Sequence, residues 1–356
     1  MLSSVPLSKR IAHRLMNIVR EMLVRWDLLT FRIASPTQPV ITCLRCLPDG
    51  PQLSRLAILV IYAAALDANH HRAIKALSAA GYRIALINNR RFDDAHAIPA
   101  DVALILENHN VGRDIGAYIR AIRQISTLYG LTADARVLFL NDSVIFLPGV
   151  EAVFQAFAQV GDEWTGVTES RNGGYHVASW GFQVSAAVLR SDAFRQWAAA
   201  FNLTTNRAYL IRNGEIGLTK ALLSAGYRPR VLFGIDFLSS LFERIQQFDN
   251  ASARIVPCYM NPGDLADGIH EELLDRINHT HLMTFPGVVS KAFPFIKKDL
   301  YYRHVFSREQ IEALCREVAR LHGQDLAAEC HDILLSRIDG ATLRGWTGLC
   351  WRLGII

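Results

Sequence analysis

Between residues 56 and 140 the chain alternates uninterrupted apolar runs with segments of helical period, and this alternation restricts the fold more than any other feature. Leu56–Ala65 reads LAILVIYAAA, Arg83–Asn88 reads RIALIN, Val102–Leu106 reads VALIL and Arg136–Leu140 reads RVLFL. A strand with one wet face alternates apolar and polar side chains. Runs that are apolar throughout belong to strands buried on both faces, as in a parallel sheet covered by helices. The intervening segments, Asn69–Ala80 ending at Gly81 and Ile115–Leu128, supply those helices. The expectation is an α/β fold of nucleotide-binding type, with ligands beyond the carboxyl ends of the strands.

Further along, Trp164–Thr168 and Gly181–Val184 read as shorter strands, and Ala186–Phe201 and Glu215–Ala225 as helices, the second closed by Gly226. Residues 307–336 return to helical periodicity, and 346–356 form a short apolar end. No internal repeat or low-complexity tract interrupts this order. The division expected is a basic helix and linker over 1–50, the α/β domain over 51–302 and a C-terminal helical segment over 303–356.

Charge is concentrated at one end. The whole chain carries +5, but residues 1–35 hold six basic side chains against Glu21 and Asp27, so +4 lies there and the body is nearly neutral. A nucleic-acid binder needs a basic face on its folded domain, and none is implied. Leu7, Ile11, Leu15, Ile18, Met22 and Trp26 recur at spacings of three and four among those charges, the stripe of an amphipathic helix. Such a helix packs on protein or lies on an anionic membrane surface; charges every few residues bar it from spanning one. Four prolines between Ser35 and Pro51 read as a linker. Cys43 and Cys46 form a lone C-x-x-C flanked by Pro39 and Pro48, and with no recognisable signal peptide ahead they are expected to be reduced thiols of a cytoplasmic protein.

The catalytic templates absent from the sequence narrow the chemistry. There is no phosphate-binding P-loop, no G-x-G-x-x-G after the first strand, no H-E-x-x-H and no G-x-S-x-G. Two polar insertions each follow an expected strand. The first, Glu107–Tyr118, enters a helix: Gly112 permits close backbone approach, Arg113 offers a planar fork to a diphosphate, and Asp114 offers a carboxylate to a base, a ribose or a sugar hydroxyl. A capped helix with an Arg-Asp pair is the plainer alternative. The second, Asn141-Asp142-Ser143, ends the fourth strand. There Asp142 either projects into the crevice, where it could hold a divalent cation, or serves as a turn residue.

Four stretches in the same order resemble one family: Asn110–Tyr118 (NVGRDIGAY), Leu140–Val144 (LNDSV), Gly166–Ser170 (GVTES) with His176 before a Phe182-containing strand, and Asn278–His281 (NHTH) followed by Pro294–Leu300 (PFIKKDL). Over about residues 56–302 the chain is similar to the rhamnan synthesis protein F family, which is associated with bacterial surface polysaccharides, O-antigens and capsules among them. The resemblance implies a GT-A-like nucleotide-sugar-binding sheet flanked by helices and hexosyltransferase activity. Asn141, Asp142 and Ser143 would stand where such enzymes carry Asp-x-Asp, placing Asp142 near the donor diphosphate. Tyr62, Ala63, Asn88 and Asn89 would flank the nucleotide, and Gly112, Arg113 and Asp114 would border the donor sugar. Asp142 and His281 would be the ligands of a Mg²⁺ or Mn²⁺ ion. The departure from Asp-x-Asp leaves that requirement open.

An inverting enzyme needs a carboxylate to deprotonate the acceptor hydroxyl. Glu215, read at the start of a helix, is the candidate, against the alternative of a first-turn Glu favoured by the helix dipole, and Glu169 stands in reserve. His176, His281 and Lys297 are candidate donor-binding side chains, with Lys298 beside them. The function expected is transfer of a sugar, rhamnose or another deoxysugar, from a nucleotide diphosphate to a hydroxyl of a growing, lipid-linked glycan. The basic N-terminal helix would keep the enzyme at the inner membrane. The alternatives are a nucleotide-sugar-modifying enzyme, disfavoured by the missing glycine fingerprints, and a non-catalytic nucleotide-sugar or glycan-binding subunit of a polysaccharide assembly complex.

Overall fold

The computed structural model describes residues 41–46, 52–245, 255–258 and 277–336, with residues 22, 25, 26, 260, 274, 275, 343–345 and 348. The amphipathic stripe over 7–26 and the apolar end over 346–356 fall almost entirely outside them. Among the described residues, no helix is long and apolar enough to cross a membrane.

The centre is a mixed, mostly parallel sheet between helices. Its strands are β1 (Thr42–Arg45), β2 (Leu53–Ile61), β3 (Arg83–Asn88), β4 (Val102–Glu107), β5 (Leu131–Asn141), β7 (Trp164–Ser170), β8 (His176–Val177), β9 (Gly181–Ser185) and β10 (Arg230–Phe233). They lie in the order β1-β4-β3-β2-β5-β9-β7-β10, with β8 paired to β7. β4, β3, β2 and β5 run parallel, as the unbroken apolar runs predict, and so do β7 and β10; β9 runs antiparallel between the two groups. Alternate residues of β2 enter opposite layers. Leu59 and Ile61 pack with Ile74, Leu77 and Phe154 on one face, while Ile58 and Val60 pack with Ile119, Ile122 and Leu222 on the other. Each such side chain removed from water on both faces contributes about 1.5–3 kcal/mol, which is why no polar residue interrupts the run.

Several elements differ from the sequence expectations. β2 ends at Ile61, so the apolar residues Tyr62–Ala65 form a loop rather than more strand. The expected linker holds β1, an edge strand antiparallel to β4, and Cys43 and Cys46 are joined by a disulfide there rather than being free thiols. The expected helix over 186–201 is two helices, Ala186–Arg190 and Asp192–Ala200, because Ser191 leaves the helical conformation to cap the second.

A second, two-stranded sheet joins distant parts of the chain. β6 (Val144–Phe146) pairs antiparallel with β11 (Phe295–Lys297), which places Lys297 opposite Val144. Ile145, Leu147, Ile296 and Leu300 of this region share a core with helices Arg308–His322 and Gln324–Leu335. Arg72 of helix Ala68–Ala79 fastens the last helix: its Nη2 lies 2.6 Å from Glu329 Oε2, while Nη1 donates to the Phe146 carbonyl at 2.7 Å.

Candidate functional site

After β2 the chain builds β3 and β4 on one side and then returns to the other side with β5. The crevice between the carboxyl ends of β2 and β5 is therefore the point where strand order reverses, the place where open α/β sheets bind ligands. A cavity of about 770 Å³ opens there, lined by Ile61 and Tyr62 from β2 and its loop and by Asn141, Asp142 and Ser143 from β5 and its turn. Its volume lies within the range of small-molecule and cofactor sites.

Behind Asp142, which lines the cavity, runs a chain of alternating charge. Asp142 Oδ2 lies 3.3 Å from His70 Nε2 and 3.9 Å from Lys298 Nζ, and accepts from the Tyr62 amide at 3.4 Å. His70 Nδ1 lies 2.7 Å from Asp67 Oδ1, and Asp67 caps helix Ala68–Ala79 by accepting from the His70 amide. Burial opposes charge on each of these three groups, but their mutual bonds prevail. The His70 imidazole is held above its ordinary pKa, Asp142 is held below the carboxylate range and Asp67 is lowered to about 2.

One wall pairs two carboxylates across one hydroxyl. Ser179 Oγ lies 2.9 Å from Glu215 Oε1 and 3.3 Å from Asp114 Oδ2, and its single proton serves one of them at a time. Asn141 Nδ2 donates to Asp114 at 2.6 Å. Burial, and then the nearby charge of Glu215, push Asp114 upward and so favour its protonated form. His176 Nδ1 faces the Gly174 carbonyl at 2.7 Å, which fixes the proton on that nitrogen. Nε2, 3.4 Å from Glu215 Oε2, donates to it only when the ring is charged.

Glu215 owes its position to an irregularity. Helix Ile216–Ser224 continues a turn at Arg207–Tyr209 through a π-helical stretch, Leu210–Glu215, in which the Ile216 amide donates to Ile211 O. The expectation that Glu215 begins a helix is thus corrected. It lies within a continuous helical run, away from the positive end of a dipole, and the Asn213 carbonyl accepts from the Trp197 indole at 2.8 Å.

Another wall is cationic. Arg113, Arg207, Lys297 and Arg303 line it, with Asp299 among them. Asp299 accepts from His281 Nε2 at 3.2 Å, and although burial opposes it, His281, Lys297 and Arg207 hold it far below the carboxylate range. Lys297 Nζ donates to Ser143 Oγ at 3.1 Å and lies 5.6 Å from the Trp180 ring centre. Burial lowers its pKa against the pull of Asp299, Glu215 and Asp114. Arg113 has φ of 48° directly after Gly112 at 82°. A side chain on Gly112 would bring its Cβ within 2.8 Å of Gly116 Cα, which explains the glycine.

The expected site residues therefore converge, with three exceptions. Tyr62, Asn89, Arg113 and Asp114 line the cavity, as do Asn141, Asp142 and Ser143, and then His176, Glu215, His281 and Lys297. Ala63, Asn88 and Gly112 do not. The Asn88 amide is spent on the Ala63 backbone, donating to its carbonyl at 2.7 Å and accepting from its amide at 3.3 Å. Glu169 is likewise committed, accepting from Tyr175 Oη at 2.8 Å and the Ile235 amide at 2.9 Å. Asp142 and His281 have Lys298, His70 and Asp299 as partners, and among the described residues no group of three or more His, Cys, Asp or Glu side chains is arranged to hold a metal ion. Asp67, His70, Ser179, Arg207, Asp299 and Arg303 were not anticipated. Of these Asp67 carried a signal, an acid at a strand-to-helix turn where caps occur, and Asp299 stood within the Pro294–Leu300 stretch of the family resemblance.

No protein-family model matches the chain. Two proteins of Vibrio anguillarum, each named Virulence protein VirA, are 24% identical to it over 204 residues, covering 55% of this chain and 62% of theirs. The chain thus spans less than two thirds of the length of these curated relatives.

Proposed function

We propose that the chain is a GT-A-like glycosyltransferase of the rhamnan synthesis protein F type, moving a sugar from a nucleotide diphosphate to a hydroxyl acceptor. The observation that carries this reading is the gathering, in one cavity at the strand-order switch point, of several cations and a carboxylate pair. Transfer breaks the bond between the anomeric carbon and the diphosphate oxygen, which keeps the electron pair, and forms one to the acceptor oxygen, which loses a proton. Glu215 takes that proton, while Asp114, beside it on Ser179, holds a sugar hydroxyl. Arg113 and Lys297 meet the charge developing on the diphosphate. Asp142 lines the same cavity, held in place by His70 and Lys298. The donor sugar is rhamnose or another deoxysugar and the acceptor a lipid-linked glycan, with residues 1–34 holding the protein on the cytoplasmic face of an anionic inner membrane.

A screen of thermal stability against nucleoside diphosphates and nucleotide sugars tests the reading, since ligands that bind only the folded form raise its melting temperature. At least one nucleotide sugar is expected to stabilise the protein, and Glu215→Ala and Asp142→Ala to lose turnover. A wild type that binds none of them would remove the enzyme reading, and full turnover in both variants would refute the site. Binding without any turnover would favour instead a non-catalytic subunit, a role that the commitment of Asp142 to His70 and Lys298 also suits. Flotation with anionic liposomes, with and without residues 1–34, addresses the membrane: equal binding by both forms would refute that part.

A further inference from the structure

Glu215 and His176 form a pair that is short of one proton. The Gly174 carbonyl, 2.7 Å from His176 Nδ1, can only accept, so the first proton of the ring stays on that nitrogen. The other nitrogen of a neutral ring then turns a lone pair toward Glu215 Oε2, at 3.4 Å. That is longer than the roughly 2.7–2.9 Å of a formed charge-assisted bond, and it suits two acceptors facing one another. One more proton, on either Nε2 or Oε2, makes the contact a hydrogen bond. Ser179 Oγ sits 2.9 Å from Oε1, so Oε2 is the oxygen that answers to the ring. Both residues line the cavity, but 25% of the Glu215 side chain is exposed against 6% of the His176 side chain, so an acceptor meets the carboxylate first. The other titratable groups in electrostatic reach of the pair are Asp114, Tyr118 and Lys297 on the Glu215 side and His279 on the ring side, with Glu169 and Arg171 acting on His279 in turn. Among the described residues the ring itself hydrogen-bonds or ion-pairs only with Gly174 and Glu215.

We infer that His176 is the second station of the acceptor's proton: Glu215 takes it from the hydroxyl, and the neutral ring then takes it from Glu215 at Nε2. This role rests on the glycosyltransferase reading and deepens it, and it moves His176 from donor binding to proton handling. The hydroxyl O–H bond breaks with its electron pair left on the oxygen that attacks the anomeric carbon. An O–H bond forms at Glu215 and breaks again as an N–H bond forms at His176. Glu215 returns to a carboxylate, and the ring becomes an imidazolium whose Nδ1 proton still rests on the Gly174 carbonyl. Two facing acceptors are thereby replaced by a charge-assisted bond, which favours uptake of the proton. Water takes that proton from the ring once the product leaves. His176 acts through Glu215 and not on the substrate, so it is a positioning residue for the base.

Asparagine separates the two contacts of the ring, because its Nδ2 can keep the bond to Gly174 while nothing replaces Nε2. Full-length wild type and His176→Asn, each verified as folded by its melting curve, are compared for nucleoside diphosphate release against pH, with a panel of dTDP-, UDP- and GDP-sugars as donors and water or methyl glycosides as acceptors. His176→Asn is expected to lose about tenfold or more in kcat, with the donor KM within about threefold of wild type. Its acid limb should move to lower pH by about one unit or more, since wild type needs a neutral ring as well as an ionised Glu215 and the variant needs only the carboxylate. In the protein without substrate, the ring titration of His176, followed by NMR and assigned by its absence from His176→Asn, should move to lower pH by about one unit or more in Glu215→Gln, where no carboxylate supports the charged ring. A slower His176→Asn whose acid limb stays in place overturns the relay, as do an unchanged kcat, an effect confined to the donor KM, or a ring titration indifferent to Glu215→Gln. A wild type that turns over no sugar of the panel removes the glycosyltransferase reading and the relay with it, whereas turnover with an unmoved limb removes the relay alone.

Discussion

Asp67, His70 and Asp142 make a device whose strength follows pH. The folded-state pKa of His70 is raised, so its stabilising charge is fully present below the ordinary value of 6.5 and is lost as pH rises through the raised value. Asp67 and Asp142 are lowered, so their contribution is present above the ordinary value of 3.8 and is lost as pH falls through their folded values. The three act together between those limits. His70→Gln should cost about 1 kcal/mol near pH 6, because it takes the shared partner from the half-buried Asp142 and the exposed Asp67. The gap in melting temperature from wild type should then narrow toward pH 9, and a constant gap would contradict the linkage. Gly112 bears a different load. Gly112→Ala must hold a side chain at φ of 82° against Gly116, and should cost about 1 kcal/mol or more while displacing Arg113. Chemical denaturation measures the first effect and pyrophosphate affinity the second; a variant as stable as wild type would show that the loop relaxes.

At the scale of elements, one helical run carries two opposing functions. Asn206 caps its start by accepting from the Tyr209 amide at 3.1 Å, Arg207 follows at once, and the π-helical stretch then turns Glu215 toward Ser179. Such single widened turns are frequent at functional sites because they re-aim a side chain. Asn206→Ala should cost about 1 kcal/mol, and Asn206→Asp should restore it. Loss of both pyrophosphate affinity and transfer in the Ala variant, recovered in Asp, would tie the cap to both walls; stability lost with neither activity affected would separate them. The parallel strands were legible because burial on two faces leaves an unbroken apolar run. β1 was not, since Thr42–Arg45 is a short edge strand among prolines and half of its face is wet. The convergence of Asp142, Glu215, Arg113 and Lys297 followed from strand ends and motifs. His70, Ser179, Arg207 and Arg303 had no such mark, because each looks like an ordinary helix or loop residue until the fold brings it to the cavity at the ends of β2 and β5 or, for His70, to Asp142 beside it. The π-helical stretch was equally invisible, since no residue type in Leu210–Glu215 marks a widened turn.

For the whole molecule, the C-terminal helices and the site share one support. β11 presents Lys297 to Ser143, and its Ile296, with Leu300, packs under helices Arg308–His322 and Gln324–Leu335. Ending the chain at residue 306 would expose Ile145, Leu147, Phe285 and Ile296, each worth about 1.5–3 kcal/mol of burial. The truncated protein should bind a hydrophobic dye and lose pyrophosphate affinity, and a shortened chain that melts like the full one would show the segment to be independent. The central claim is that Glu215 and the cationic wall act on one nucleotide sugar, and it is tested most directly by nucleoside diphosphate release in the presence of a glycan acceptor, compared between wild type and Glu215→Gln at saturating donor. General-base catalysis of this kind contributes about 10²–10⁴-fold, so the variant should release product slower by that order while binding donor as tightly as wild type. Equal release rates in the two proteins, or no release from any donor that binds, would contradict it.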